Sequence, residues 1–383
     1  MDMPIELQLA PVRKPHIPES QLGFGKVFTD HMFLMQYERG RGWHDARVVP
    51  HGPLSLDPAT AVFHYGQAMF EGMKAFRSAD GTVKMFRPEV HCERMASGAP
   101  RLCMPSPDPR FMMRALTTLV GVDGDWTPRV PESALYIRPT LIATDPVLGV
   151  HASSRYIFFI ILSPVGPYYA EGFHPLRIWV EDRYVRAAPG GLGAVKASAN
   201  YVASLLAAEE ARARGYAQVL WLDAHHHRSI EEVGTMNLFV RLGDALVTAP
   251  LEGTILGGVT RDSVLALARS WGLKAEERRV TIDEIISAHQ DGSLQEVFGC
   301  GTAAVISPVG ELGYGDRKLV IRRGEVGEVS RKLYDTITGI QHGTLPDTFG
   351  WMVEVPRPRA EDSLGPEDRR VASDGGERRQ PLL

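Results

Sequence analysis

The segment Ser163-Pro-Val-Gly-Pro-Tyr-Tyr-Ala-Glu-Gly172 constrains the fold more than any other stretch of this chain. It gathers proline and glycine between two apolar runs, 156–162 and 176–181, which marks a break between two folding units. A chain of 383 residues exceeds what one hydrophobic core organises, so two domains are expected, with enough material to enclose a ligand between them. The expected division is a smaller N-terminal α/β domain over 1–162, a linker over 163–174 and a larger C-terminal domain over 175–355. From Pro356 to Leu383 the sequence is charged, bears proline and has almost no large apolar residues. Such a segment cannot repay the entropy of ordering, and disorder is expected there.

The elements on either side read as a mixture of strands and helices. In the first half, 27–37 and 133–144 read as strands and 89–101 as a helix. After the break come a strand over 176–181, a glycine-rich turn, a helix over 199–214 closed by Gly215, and a strand over 218–223. Leu242-Gly-Asp244 joins strands 236–241 and 245–248 as a hairpin. A helix over 260–271 ends at Gly272, Thr281 and Glu284 have the spacing of a capping box, and a strand over 296–306 closes the core. The fold class is α/β with mixed sheets.

Several functions are disfavoured at once. A net charge of -4, with 23% charged residues, gives no polyanion-binding signal, so nucleic acid is not an expected partner. No run approaches the ~18 apolar residues needed to span a bilayer, and the first twenty residues lack the pattern of a targeting segment. A cytoplasmic protein is expected. Cys92, Cys103 and Cys300 are too few and too scattered for a disulfide framework or a zinc site. His225-His-His227 reads as an exposed turn, with no metal expected.

Five features carry chemistry. Lys196 is the one lysine between 85 and 273; it follows the loop Ala187-Ala-Pro-Gly-Gly-Leu-Gly193 and precedes an apolar helix. That setting suits a buried amine of lowered pKa, as imine chemistry requires, and equally a solvated surface lysine. Glu231-Glu-Val-Gly-Thr-Met-Asn237 leads two carboxylates into a turn, either solvated or facing the ring nitrogen of a pyridine cofactor. Gly257-Gly-Val-Thr-Arg-Asp-Ser263 brings a glycine turn to a helix N-terminus, where free amides favour phosphate. Phe298-Gly-Cys-Gly-Thr-Ala-Ala304 interrupts an apolar strand with glycines, as a bulge or a close approach to a ligand would require. Within Phe86–Met95, Arg94 lies on the predicted helix and suits bidentate phosphate binding. Each has an ordinary structural explanation, but together they compose a pyridoxal-phosphate site.

The order and content of longer motifs resemble the branched-chain amino acid aminotransferases, of the fold-type IV pyridoxal-phosphate enzymes, from about Phe24 to Met352. The motifs are Phe24-Gly-Lys-Val-Phe-Thr-Asp-His31, His64-Tyr-Gly-Gln-Ala-Met-Phe-Glu-Gly72, Leu135-Tyr-Ile-Arg-Pro139, Lys196 with Asn200-Tyr201, Glu232-Val-Gly-Thr-Met-Asn237 and Gly301-Thr-Ala303. The resemblance implies two domains with the cofactor, pyridoxal 5'-phosphate, in the cleft between them. It further implies Lys196 as the Schiff-base lysine, Tyr201 at the cofactor's phenolic oxygen and Glu232 at its pyridine nitrogen. Arg94, Val259, Thr260 and Thr302 would hold the phosphate, and Thr235 would lie near the ring face. Phe28, Tyr65, Tyr136, Arg138 and Ala303 would line the substrate side, Arg138 accepting the distal carboxylate of glutamate. The run Ala197-Ser-Ala199 departs from the paired glycines common in the family.

The implied activity is reversible amino transfer between leucine, isoleucine or valine and 2-oxoglutarate, by ping-pong kinetics, in a homodimer or larger homo-oligomer. Two alternatives stay open: a fold-type IV aminotransferase of another amino acid, and a non-catalytic pyridoxal-phosphate binder.

Overall fold

A computed structural model describes residues 3–167 and 172–356. The tail from Arg357 on and Tyr168–Glu171 of the predicted linker lie outside the described residues.

The described strands form two sheets. In the first, the order is Glu6–Leu7, Gly42–Pro50, His31–Glu38, Arg155–Val165, Ala134–Ala143, Met73–Arg77, Val83–Phe86 and Met352–Glu354, with Ala68–Phe70 also paired to Ala134–Ala143. Its central strand shows why the apolar run is not a membrane segment: Tyr156, Phe158, Ile160 and Leu162 are buried, while the residues between them are only partly so. That period of two puts one face against the helices Pro88–Gly98 and Pro109–Val122. No helix among the described residues is long and apolar enough to cross a membrane.

In the second sheet, six strands close on themselves. Ile230–Val233, Gln218–Leu222, Leu176–Glu181, Val305–Tyr314, Leu294–Gly301 and Met236–Leu242 pair in turn, and the last pairs back to the first. Closure removes two edges and encloses a core that includes Ile178, Val180, Leu220, Val240 and Val297. The hairpin through Gly243, the left-handed Gly215 and Gly272, and the Thr281 cap, which accepts from Glu284 N at 3.1 Å, form as the sequence predicts.

Four predicted elements differ from those found. The strand over 27–37 begins at His31, and the strand before the break runs to Val165, three residues into the predicted linker. The helix over 199–214 is two helices, Ser198–Val202 and Leu205–Ala213. Ser204 donates its hydroxyl to the Tyr201 carbonyl at 2.7 Å, a local bond that competes with the helical ladder. The strand over 296–306 is a hairpin that reverses through Thr302–Ala304. Gly299 and Gly301 lie in its first strand, where a Cβ on either would press against Met236. Finally, Met352–Glu354 returns to pair with Val83–Phe86, so the first sheet includes residues from the far end of the chain.

Candidate active site

Lys196 leaves the glycine-rich loop where it meets the first sheet: Phe70 N donates to the Lys196 carbonyl at 3.2 Å, and Ala197 bridges to Met69. Its side chain enters a cavity of about 450 Å³ between the two sheets. Nζ donates to the Tyr201 hydroxyl at 3.0 Å and lies 5.3 Å from the centre of the Phe70 ring. Desolvation, with the Arg94 charge nearby, lowers the amine to about 8. Tyr201 moves the opposite way, to about 12, because burial and the Glu232 carboxylate both disfavour a phenolate.

Glu232 stands on the strand Ile230–Val233 with all its protein partners donors. Oε1 accepts from Asn237 Nδ2 at 3.1 Å and from Leu256 N at 3.0 Å, and Oε2 lies 2.6 Å from Arg186 Nε. Burial raises its pKa, against the pull of Arg186. Arg186 is itself tied to the carbonyls of Thr254 at 2.8 Å and Gly193 at 3.2 Å. The adjacent Glu231 points elsewhere, accepting from Thr254 Oγ1 at 2.6 Å.

At another part of the cavity, Gly258 caps the helix Val259–Ser270 without any side-chain cap, leaving first-turn amides for an anion. A Cβ at Gly258 would collide with Asn237 Oδ1, so the close approach demands glycine. Arg94 is beside this turn, donating to Gly257 O at 3.0 Å. The rest of its fork is held by Glu71, at 2.8 Å from Nε and 2.7 Å from Nη2, and His91 Nδ1 is 2.8 Å from the same carboxylate. Nη2 also lies 3.2 Å from His91 Nδ1, so Arg94 presents one remaining hydrogen of Nη1 to an anion, and the bidentate face expected for phosphate is spent on Glu71.

Glu71 is 1% exposed, yet ionised. Burial opposes the charge, but Arg94 and His91 outweigh it and hold the carboxyl well below the usual carboxylate range. With the folded pKa depressed, this group contributes stability above its ordinary value of 4.5 and loses it as pH falls through the folded value. Glu71→Gln is expected to lower the unfolding free energy by about 3–5 kcal/mol at pH 7. Urea titration of the apo-protein checks this, and the difference from wild type must shrink at acid pH.

The cavity brings together most of the residues singled out in the sequence. Lys196, Arg94, Tyr201, Glu232, Thr235 and the turn Val259-Thr260 all line it, as do Thr302, Ala303, Tyr136 and Arg138. Arg138 donates to the Tyr136 hydroxyl at 2.9 Å and lies over the Phe70 ring. Two predicted substrate residues lie elsewhere. Phe28 stacks on His51, 5.1 Å between ring centres, and the apolar wall is made by Phe24 and Phe70 instead. Tyr65 ends a short helix, is 41% exposed and donates its hydroxyl to Leu148 O. His225–His227 form a turn around Asp223, which accepts four backbone N–H groups.

Sequence reasoning missed Phe24, Phe70, Glu71, Arg186 and Asn237. Four of these stand inside motifs already singled out. Arg186 had no signal, because Arg183-Tyr-Val-Arg186 reads as an ordinary charged loop.

Residues 68–312 match the family described as amino-transferase class IV. Over 351 residues the chain is 52% identical to branched-chain-amino-acid aminotransferase 2 of Bacillus subtilis, covering 92% of this chain and 97% of that protein. It is 48% identical to the branched-chain-amino-acid aminotransferase of Mycobacterium tuberculosis, covering 87% and 92%. Among solved structures, the Escherichia coli branched-chain amino acid aminotransferase superposes with a TM-score of 0.71 at 26% identity, over 85% of this chain and 99% of that one. The branched-chain amino acid aminotransferase of Thermobaculum terrenum, in its PLP-bound holo-form, superposes with a TM-score of 0.69 at 25% identity, over 85% and 98%.

Proposed function

The chain belongs to the class IV aminotransferases, among the branched-chain amino acid aminotransferases, and from that premise we propose that it exchanges amino groups between leucine, isoleucine or valine and 2-oxoglutarate through Lys196. One observation carries the reading: an amine, a buried carboxylate and an uncapped helix N-terminus beside Arg94 converge on a single cavity. The family's cofactor is pyridoxal 5'-phosphate, and this donor set fits it. The Gly258–Thr260 turn, Thr302 and Arg94 would hold the phosphate, and Glu232 would face the ring nitrogen.

When bound, the cofactor supplies an aldehyde that takes up the amino group and a protonated ring that stabilises the charge left at the substrate α-carbon. Lys196 anchors the cofactor and, once displaced by substrate, carries the α-proton as general base and acid. Tyr201 keeps its phenolic proton through neutral pH and orients the amine. Arg138, with Tyr136, is the proposed receiver of a substrate carboxylate, and Phe24 and Phe70 exclude water from the apolar side. Running the same steps backward on 2-oxoglutarate gives glutamate and ping-pong kinetics.

A panel of amino donors with 2-oxoglutarate tests the reading. Leucine, isoleucine and valine should all turn over, with valine, one methylene shorter, within about 10–200-fold of the other two in kcat/KM, because apolar fit discriminates by only about 1–3 kcal/mol per methylene. Preference for D-alanine or an aromatic donor would assign another substrate, and cofactor colour without keto acid would mark a binder. Capture of the cofactor by the apo-protein offers a second check, since only the neutral amine attacks an aldehyde. With Lys196 lowered to about 8, the capture rate should rise with pH and level off just above that value, rather than climbing toward the ordinary 10.5. Stopped-flow absorbance reads it directly.

The proposal includes a homo-oligomer. It is supported by large apolar side chains left exposed near the site: Phe63, Leu148 and Val150 on one side, Val202, Leu205 and Leu206 on the helices after Lys196. Tyr65 stands on the same surface, so its substrate role is proposed only within an assembled copy. A cytoplasmic address is proposed as well, in keeping with three cysteines that are all free.

A further inference from the structure

Behind the cavity a lysine is buried that the mechanism above leaves unused. Lys74 is on the strand Met73–Arg77 of the first sheet and is 7% exposed. It does not line the cofactor cavity. Instead it lines two smaller chambers behind the Thr302–Ala304 turn, one with Ala303, Ala304, Gln341 and His342 and a narrower one that reaches Val259, Thr260 and Thr302. Its Nζ crosses from one sheet to the other and donates to the Ala303 carbonyl at 2.7 Å. Among the described residues no carboxylate lies within ion-pair distance of it.

An ammonium buried without a counter-ion is costly, and replacing it by an apolar side chain would relieve the cost, so its position calls for an explanation. The turn it grips supplies one. Val305, the residue leaving the turn, has φ of 62°, a conformation a β-branched residue adopts only when its surroundings impose it. The turn also separates the wider rear chamber from the cofactor cavity, with Ala303 and Ala304 lining both. A trans peptide sets its N–H opposite its carbonyl, so a carbonyl held from behind directs the following amide, that of Ala304, away from the rear chamber. Burial lowers Lys74 only to about 8, which leaves it cationic at neutral pH.

We propose that Lys74 is a positioning residue: by holding the Ala303 carbonyl from the rear, it turns the backbone amides of Thr302–Ala304 toward the cofactor cavity, where they would receive the α-carboxylate that every amino-acid and keto-acid substrate shares. This rests on the transaminase reading above. The ammonium also places a positive charge behind that carboxylate, where the turn itself offers only dipoles. Lys74 is absent from the lining of the cofactor cavity, and its effect on substrate passes through Ala303.

The test compares the holoenzyme with Lys74→Met, titrating 4-methylpentanoate and its uncharged amide, 4-methylpentanamide, by calorimetry and by the absorbance of the bound cofactor. Loss of a charge-assisted anchor should weaken 4-methylpentanoate about tenfold or more. The amide and the cofactor affinity should change little, the thermal midpoint should hold or rise, and KM for leucine and for its keto acid should rise together. Should Lys74→Met fail to fold, Lys74→Gln, which keeps a donor but not the charge, replaces it with the same expectation for the acid over the amide. Equal weakening of acid and amide, or no weakening of the acid, would overturn the proposal. A wild-type holoenzyme without transaminase turnover would instead sink the reading beneath it, so the two failures are distinguishable.

Discussion

Lys196→Ala is expected to reduce turnover of leucine with 2-oxoglutarate by at least about 10⁴-fold, since it removes both a covalent anchor and the proton carrier. No other amine can take over. Lys74 is on the far side of the Thr302–Ala304 turn and already bonded to the Ala303 carbonyl. The loss should not be a loss of fold: alanine relieves the desolvation that lowers the native amine, so the thermal midpoint of the apo-protein should hold or rise. Borohydride reduction followed by peptide mapping should label Lys196 in the native protein and no lysine in the variant. Partial recovery on adding a small primary amine would separate the missing proton carrier from a collapsed site. A variant that keeps more than about 1% of wild-type turnover would remove Lys196 from the mechanism, because neither role admits a residue that active.

What the sequence made legible was whatever a local pattern can encode. The glycine before the Val259–Ser270 helix, the Thr281 cap and the hairpin at Gly243 were all readable, since each depends on a few neighbouring residues. Lys196, Glu232 and Arg94 emerged because their motifs appeared together in order. The reversal at Thr302–Ala304 was read as one strand with a ligand-side irregularity, because apolar residues resume directly on both sides of its glycines and threonine. Glu71 and Arg186 belong to a different class. Their importance lies in pairings across the fold, to Arg94 and Glu232, and no window along the chain contains both partners. Phe28 and Tyr65 show the converse: motif membership marked their segments, but only the tertiary path decides which face each ring takes. Phe24, four residues before Phe28, turns into the cavity and packs edge-on against Tyr136 at 4.9 Å, while Phe28 turns to His51.

The Arg186 pairing bears on the second large effect, that of Glu232→Gln. Three protein donors converge on this carboxylate: Asn237 Nδ2, Leu256 N and Arg186 Nε. An amide there has one acceptor oxygen, so whichever way it turns, its NH2 faces a donor. The unsatisfied contact should cost the apo-protein about 1–3 kcal/mol of stability. The larger consequence is chemical. A neutral amide cannot hold a proton on the cofactor's ring nitrogen, and the ring then ceases to draw charge from the substrate α-carbon. Turnover should fall about 10²–10³-fold, the usual cost of losing one preorganised electrostatic partner, with the cofactor still bound through Lys196 and the phosphate turn. Arg186→Met should act on the same bond from the other side. Glu232, already raised by burial, would lose its counter-charge and take up its proton at a higher pH, so the acidic limb of the kcat profile should move upward. The two variants thus separate the carboxylate's charge from its position: one abolishes the charge at every pH, the other only below the new pKa. If Glu232→Gln left kcat within about threefold of wild type, the carboxylate would be structural alone, since ring protonation is worth far more than that.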